Sequence, residues 1–172
     1  MRWSMLVLAV MAATLVAASG VALAVTKVGT QRDDTLRGTN GSDQIDARAG
    51  NDDIFSLGGK DILYGGKGHD LLVGGPKSAS RVSRSGGDKV MSGGPGKDTL
   101  LGGFGRDTLA GGAGNDFLAD GSPLREDFRQ DLLAGGAGND EISSFNFPAS
   151  RDIVSCGSGS DDRAEVDRKD LV

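Results

Sequence analysis

An aspartate returns every nine residues along much of this 172-residue chain, and an aliphatic residue follows each aspartate two positions later. The spacing is strict from Asp34 to Asp70 and again from Asp98 to Asp116. Windows starting at residues 65, 93, 102, 111 and 135 have the full pattern Gly-Gly-x-Gly-x-Asp. A fixed period with one apolar position per unit indicates short units that bury their apolar side only by stacking on their neighbours.

The repeat also predicts the secondary structure. We number its positions so that glycine holds one, two and four, aspartate six and the aliphatic residue eight. Six positions suit a turn, and the remaining three suit a strand whose middle side chain points inward. Strands would alternate between two sides, so two units complete a coil, and coils would stack at about 4.8 Å. No segment after the N-terminal one shows a helical period. The expected fold is an all-β solenoid.

The first 24 residues have the features of a cleaved signal peptide. Arg2 supplies the positive start, residues 5–16 form an apolar run, and Ala22-Leu23-Ala24 gives a small-x-small cleavage site. An uncleaved membrane anchor is the alternative, which the short, alanine-rich run disfavours. We therefore expect a secreted, extracellular protein whose mature chain starts at Val25.

Charge and cysteine content exclude several classes of protein. Without Arg2 the chain has 18 basic and 24 acidic residues, a net charge of −6. This balance argues against a nucleic-acid partner. The aspartates are periodic rather than clustered in one block, which favours cation sites over a solvated acidic tail. Cys156 is the only cysteine, so no disulfide within the chain can stabilise the fold.

Changes in the aspartate spacing divide the chain into segments. Where the spacing is nine, we expect continuous coils, and where it is longer, we expect an inserted loop. The predicted segments are the signal peptide at 1–24, a first repeat block at 25–75, a Ser/Arg-rich insertion at 76–92, a second repeat block at 93–161 with an insertion near 122–130, and a polar C-terminal segment at 162–172.

The register is irregular at two places. The first insertion spans 28 residues from aspartate to aspartate, three periods plus one, so we expect Asp88 and Val90 to form a repeat displaced by a single bulged residue. Near the C-terminus, Arg163 falls on the aliphatic position that follows Asp161. We therefore expect the solenoid to fray near Cys156 and to end in a polar cap.

Glycine and aspartate in this arrangement favour calcium. The glycines permit backbone angles that turn carbonyl oxygens inward, and the aspartate adds an anionic oxygen. Ca²⁺ accepts six to eight oxygen ligands in a tolerant geometry, whereas Mg²⁺ demands a stricter octahedron. Zinc or copper would require histidine or cysteine, and the chain has one of each, far apart in the sequence.

The predicted stacking creates a repulsion that a cation would relieve. Asp34, Asp52 and Asp70 would line one edge, and Asp43 and Asp61 the other. Two carboxylates about 5 Å apart repel by roughly 1 kcal/mol in water and by about 3 kcal/mol at an effective dielectric near 20. Since each coil has only two aliphatic residues to bury, we expect the chain to be largely disordered without calcium and to fold on binding several ions.

These motifs closely resemble the RTX (repeats-in-toxin) family of haemolysin-type calcium-binding repeats, whose nonapeptide is G-G-x-G-x-D-x-U-x. The resemblance covers residues 29–75 and 93–161 and implies a right-handed parallel β-roll with Ca²⁺ held between successive turns. The aspartate ligands it implies are Asp34, Asp43, Asp52, Asp61, Asp70, Asp98, Asp107, Asp116, Asp131 and Asp140. The carbonyl ligands it implies are Gly66, Gly68, Gly94, Gly96, Gly103, Gly105, Gly112, Gly114, Gly136 and Gly138.

The chain departs from the family pattern in its first repeats. The second glycine is replaced there, so we expect weaker calcium sites, and the replacing residues are Thr30, Thr39, Arg48 and Leu57. Many members also use a C-terminal export signal, whereas this chain has an N-terminal one.

No motif indicates an enzyme. The sequence lacks an H-E-x-x-H zinc site, a G-x-S-x-G nucleophile elbow and a G-x-x-x-x-G-K phosphate loop. Paired aspartates can catalyse glycoside hydrolysis, but here metal binding accounts for them. We expect His69, at position five, to be a solvent-facing turn residue rather than a catalytic base.

Other residues leave alternatives open. Cys156 at position one is expected to fill space, with dimerisation through a disulfide as the alternative. The asparagines at position five are expected to form turns, with a supporting calcium contact as the alternative, and they are Asn51, Asn115 and Asn139. The aromatic residues are expected to pack beside the core rather than to bind sugars, and they are Phe55, Tyr64 and Phe117.

Two functional hypotheses remain. The first is a secreted, non-enzymatic calcium-binding β-roll that folds when it binds its ions. The second is an adhesion module in which calcium is a scaffold and the insertions contact a glycan or a cell surface. In either case we expect calcium ions as partners, no nucleic acid and no stable membrane insertion.

Overall fold

The computed structural model describes residues 23–75, 88–121, 129–144, 151–166 and 169–172. Most of the predicted signal peptide and of both predicted insertions therefore lies outside the described residues. Within the described ranges the chain forms fourteen strands and no helix. Accordingly, this part of the chain has no helix of the length and apolar character needed to cross a membrane.

The strands are short, and most contain three residues. Their bounds are β1 Thr26–Val28, β2 Thr35–Arg37, β3 Gln44–Asp46, β4 Asp53–Phe55, β5 Ile62–Tyr64, β6 Leu71–Val73, β7 Val90–Pro95, β8 Thr99–Leu101, β9 Thr108–Ala113, β10 Phe117–Ala119, β11 Leu132–Ala137, β12 Glu141–Ser144, β13 Ile153–Ser158 and β14 Arg163–Val166.

The strands form two seven-stranded parallel sheets. The odd-numbered strands follow one another in the odd sheet, and the even-numbered strands do so in the even sheet. Equivalent positions pair directly, so that Leu36 is opposite Ile54 and Ile54 is opposite Leu72. Each coil thus contributes one strand to each sheet. The predicted all-β parallel solenoid is confirmed.

The core consists of one inward side chain per strand. In most strands the residues on either side of it face outward, as expected for alternating strand side chains, whereas Phe55 in β4 is buried. This arrangement explains why the sequence repeats only one aliphatic residue in nine. The buried residues of this row are Ile45, Ile54, Leu63, Leu72, Met91, Leu100, Leu109, Leu118, Leu133, Ile142 and Val154.

The register after the first insertion differs from the prediction. Met91, not Val90, points into the core, where it pairs with Leu63, and Val90 is 46% exposed. Lys89 therefore stands at position six, and Asp88 stands at position five. The prediction of a displaced Asp88/Val90 repeat was wrong, because a lysine occupies the aspartate position.

The solenoid also extends further than expected at its C-terminal end. Strand β14 pairs with β12 so that Ala164, not Arg163, is opposite Ile142. The backbone N–H of Asp140 donates to Oδ1 of Asp162 at 2.9 Å, so Asp162 rather than Asp161 holds position six. The expected fraying near Cys156 is not observed, because the extra residue in this turn restores the strand pairing.

The two edges of the solenoid differ. At the regular edge the chain passes from the odd sheet to the even sheet, and each turn there exceeds the length set by the nine-residue repeat by at most one residue. At the loop edge it passes from the even sheet to the odd sheet. All three long connections are at the loop edge, and they contain the segments 76–87, 122–128 and 145–150, which lie outside the described residues.

Candidate calcium sites

The position-six aspartates form one column along each edge. In each column, Oδ1 of one aspartate accepts a hydrogen bond from the backbone N–H of position six in the preceding coil. At the regular edge Asp52 donates in this way to Asp70 at 2.9 Å, and Asp98 donates to Asp116 at 2.9 Å. These bonds hold the carboxylates inside the turns. The structure thus shows the stacking that the eighteen-residue coil predicted.

From Asp52 to Asp140 at the regular edge, the second carboxylate oxygen has no such partner. In the described part of the chain, the buried Oδ2 atoms without a hydrogen bond include those of Asp52, Asp70, Asp98, Asp116 and Asp140. A buried anionic oxygen without a partner is costly, and proteins normally compensate it with a cation or a donor. This column therefore has the charge and the free oxygen atoms that a metal ion requires.

Burial controls the protonation of these carboxylates in the metal-free fold. It raises the pKa of Asp52, Asp70 and Asp116 above the ordinary value. It raises the pKa of Asp98 to about 6, and repulsion from the neighbouring carboxylates of Asp70 and Asp116 adds to the increase. These shifts follow from removing an anion from water without a counter-charge.

Position-one glycines leave space beside the Oδ2 atoms. A Cβ built at Gly111 would lie 2.5 Å from Oδ2 of Asp116 and 2.6 Å from the carbonyl oxygen of Gly135. At Gly65 the same atom would lie 2.5 Å from Oδ2 of Asp70. A carboxylate oxygen and a carbonyl oxygen thus meet where a side chain would be. Both are ligands that Ca²⁺ prefers.

The glycines predicted as carbonyl ligands have the required backbone conformation. All ten have positive φ, for example 107° at Gly66 and 112° at Gly94. At the regular edge, each of these carbonyl oxygens also lies close to the equivalent glycine of the next coil. A Cβ at Gly94 would therefore collide with the oxygen of Gly66, and one at Gly114 with that of Gly96. The turns therefore leave no room for a side chain at Gly94 and Gly114. The role of all ten glycines as calcium ligands stays a prediction.

The first two aspartates have donors within the chain. Oδ2 of Asp34 accepts hydrogen bonds from the backbone N–H and Oγ1 of Thr30, at 2.6 and 2.9 Å. Oδ2 of Asp43 accepts the equivalent bonds from Thr39. The threonines that replace the second glycine thus donate hydrogen bonds to Oδ2, the oxygen that has no hydrogen bond at the regular edge in later repeats. This contact supplies a physical reason for the expected weakness of the first sites.

The loop edge contains a carboxylate cluster that the sequence reasoning did not assign. Asp120, Asp131 and Asp152 are all buried, and their ligand atoms lie within 4.8 Å of one another. Burial raises the pKa of Asp131 to about 9, and repulsion from Asp107, Asp120 and Asp152 contributes. The available sequence signal was Asp120 at position one, where a glycine usually stands.

A second ladder runs through position five. The backbone N–H of His69 donates to Oδ1 of Asn51 at 2.9 Å, and that of Asn139 donates to Oδ1 of Asn115 at 2.9 Å. Nδ1 of His69 accepts in turn from the backbone N–H of Lys97 at 2.7 Å. These side chains connect turns of successive coils, as expected for turn residues. His69 is exposed, as predicted.

Cysteine and aromatic residues take different positions around the core. Cys156 is partly buried against the core, and burial raises the pKa of its thiol, with a further contribution from Asp162 and Asp140. Phe55 is buried beside the core, whereas Tyr64 is 41% exposed on the outer face of the odd sheet. Packing beside the core thus holds for Phe55 but not for Tyr64.

Comparison with known families adds to this geometry. A model of the RTX calcium-binding nonapeptide repeat matches residues 28–63, 53–76, 85–119 and 129–144, which together include more than half of the chain. The chain belongs to this RTX family. No curated protein and no solved structure matches the chain. Family membership and the parallel solenoid identify a calcium-binding β-roll, and the resemblance seen in the sequence is confirmed.

The residues of this RTX β-roll fit the ion that its family implies. Hard carboxylate and carbonyl oxygens meet in the turns of the regular edge. The aspartates of the regular edge, together with the glycine carbonyls of the same turns, would hold Ca²⁺.

Proposed function

We propose that this RTX protein is a secreted, non-enzymatic calcium-binding β-roll whose folding is switched on by calcium outside the cell. The main support is the column of buried Oδ2 atoms at the regular edge, which lack a hydrogen-bond partner. Burying these oxygen atoms is unfavourable while the carboxylates are ionised. At neutral pH this destabilises the folded state of the metal-free chain but not that of the calcium-loaded chain.

The chain's own residues prepare the site. Oδ1 of each aspartate holds the turn of the preceding coil, the glycines keep side chains out of the space beside Oδ2, and the core residues align the coils. A bound Ca²⁺ supplies the positive charge that offsets the carboxylates. Secretion is supported by the N-terminal signal features, and extracellular calcium-binding modules work at dissociation constants of about 10⁻⁴–10⁻³ M.

The proposal is tested on the chain from Val25 by calcium titration calorimetry together with circular dichroism. Strand content should be low in calcium-free buffer and should rise cooperatively with millimolar Ca²⁺, with heat released or absorbed over the same range. Equal concentrations of Mg²⁺ are the control and should restore little structure, because Mg²⁺ requires a stricter octahedral geometry. The same strand content in chelator and in calcium contradicts the proposal.

A second candidate is an adhesion module with calcium as scaffold. It is favoured by the three long connections, whose described ends all lie at the loop edge. Deletion of 77–85 should abolish binding to glycans or cell-wall material while the calcium-induced circular dichroism change remains. Unaltered binding by the deletion variant argues against this candidate.

A further inference from the structure

One position in the loop-edge column has a lysine instead of an aspartate. Lys89 keeps every backbone contact of position six: its N–H donates to Oδ1 of Asp107 at 2.8 Å, and its carbonyl accepts from Thr108 at 2.9 Å. The N–H of Val90 bonds to the carbonyl of Asp61, as in other coils. The lysine therefore replaces an aspartate while these backbone hydrogen bonds are kept.

The Lys89 side chain is fully buried and points along the column. Its Nζ lies 3.4 Å from Oδ2 of Asp61, and neither side chain is accessible to solvent. Nζ also donates a hydrogen bond to the carbonyl oxygen of Gly59, which stands at position four of the preceding loop-edge turn. One position-six carboxylate and one position-four carbonyl are the two kinds of oxygen that the family pattern assigns to Ca²⁺.

Charge explains why this replacement is tolerated. An aspartate changed to lysine replaces one negative charge with one positive charge, a local change equal to the charge of one Ca²⁺. A buried ammonium is stable only when it is paired and hydrogen-bonded, and here it has both a carboxylate and a carbonyl. The Oδ2 of Asp61, which has no hydrogen bond of its own, has this ammonium as its counter-charge.

We propose that Lys89 is a built-in cation that takes the place of one Ca²⁺ between the Asp61 turn and the coil that contains the first insertion. The proposal rests on the calcium-binding function proposed above. It divides the loop-edge column into separate groups of calcium sites, whereas the regular-edge column continues without interruption. The coil with the longest connection is thereby held by a cation that does not depend on the calcium concentration.

The first test is the number of bound ions. Lys89→Asp restores a continuous aspartate column, so calorimetry should find at least one more Ca²⁺ per chain than in the parent, and the variant should need calcium for more of its strand content. Lys60→Asp is the matched control, because it changes the charge by the same amount at a side chain that is 71% exposed. This control should bind the parental number of ions. A folded Lys89→Asp variant with parental stoichiometry overturns the proposal.

The second test uses the parent chain, so it gives a result even when Lys89→Asp does not fold. The calcium-loaded protein is treated briefly with an amine-reactive acetylating reagent, and each lysine is quantified by peptide mass spectrometry. Lys89 should react at least about tenfold more slowly than the exposed Lys60. Equal rates overturn the proposal. A parent chain that takes up no calcium contradicts the proposed function itself, whereas the results named above bear on Lys89 alone.

Discussion

From Asp70 to Asp140, the position-six aspartates at the regular edge use their two carboxylate oxygens for different purposes. Oδ1 accepts a backbone hydrogen bond from the neighbouring coil, and Oδ2 is buried beside the position-one glycine. Threonine donors at the first repeats and the Lys89 ammonium at the loop edge change the partner of Oδ2 without altering the turn. The chemistry of a turn thus depends on which group faces this single oxygen.

Asp52→Asn tests the role of Oδ2. The amide keeps an oxygen that can accept from the backbone N–H of Asp34 but removes the negative charge, so calcium affinity should fall by about tenfold or more, equivalent to ~1.4 kcal/mol. Asp53→Asn is the control, since Asp53 is exposed in the next position, and its affinity should not change. Titration calorimetry measures both. Equal losses in the two variants would show that net charge, not Oδ2, is responsible.

Arg48 is a residue other than glycine with a left-handed backbone. Its φ is 76° at position two, a conformation that costs roughly 1–2 kcal/mol for a residue with a Cβ. Arg48→Gly should therefore raise the free energy of unfolding in saturating calcium by up to about 1 kcal/mol, after the greater chain entropy of glycine is deducted. Lys67 does not have a positive φ, so Lys67→Gly should lower the free energy of unfolding. Urea denaturation of both variants tests the difference in sign.

Strands of this solenoid are too short to be stable by themselves. A strand such as β8 has three residues and one fully buried side chain, so its stability derives from the neighbours in the sheet and from the facing row of core residues. Each coil thus depends on the coils above and below it. A defect in one strand should be transmitted to the next.

Leu109→Ala in β9 tests this dependence. Leu109 is fully buried between Met91 and Leu133, so truncation should lower the free energy of unfolding by about 2–5 kcal/mol in saturating calcium. Thr108→Ala, next to it but facing outward, should cost less than about 1 kcal/mol. Urea denaturation followed by circular dichroism compares them. Similar losses would mean that the inward row is not the core.

The two edges give the whole solenoid an asymmetric distribution of charge. The regular edge has a continuous carboxylate column, whereas the loop edge contains Lys89, the Asp120 cluster and all long connections. Calcium sites should therefore form a continuous row at the regular edge and separate groups at the loop edge, where the loop lengths vary.

Acid should stabilise the metal-free fold. Since burial raises the pKa of Asp98 to about 6 and that of Asp131 to about 9, the folded chain binds protons that the unfolded chain has already released. This contribution to stability is fully present below about pH 4 and is lost as the pH rises through 6 and towards 9. Circular dichroism in buffer freed of calcium on a chelating resin should show more strand at pH 4.5 than at pH 7.

Calcium should reverse this dependence. Protons and Ca²⁺ compete for the same carboxylates, so calcium affinity should increase from pH 5 to pH 7. Calorimetry at the two pH values measures the change. Strand content that is independent of pH in calcium-free buffer would mean that the buried carboxylates do not control the metal-free state.

Most of the architecture was predictable because a strict period leaves one way to stack. The aspartate spacing placed Asp52 beside Asp70 and Leu36 beside Ile54, and both pairs are observed. The period failed where its spacing changed: after the first insertion the core position passed to Met91, and near the C-terminus to Ala164. At both places strand pairing, not the nearest aspartate, chose the inward residue.

Amino-acid order alone was sufficient for the coil length, the identity of the turn glycines and the preference for calcium, since these depend on local backbone conformation and ligand chemistry. Contacts between coils decided the rest. They left Oδ2 of Asp116 without a hydrogen bond and brought Lys89 to Asp61. Lys89 and Asp61 are 28 residues apart along the chain, and only stacking brings them together.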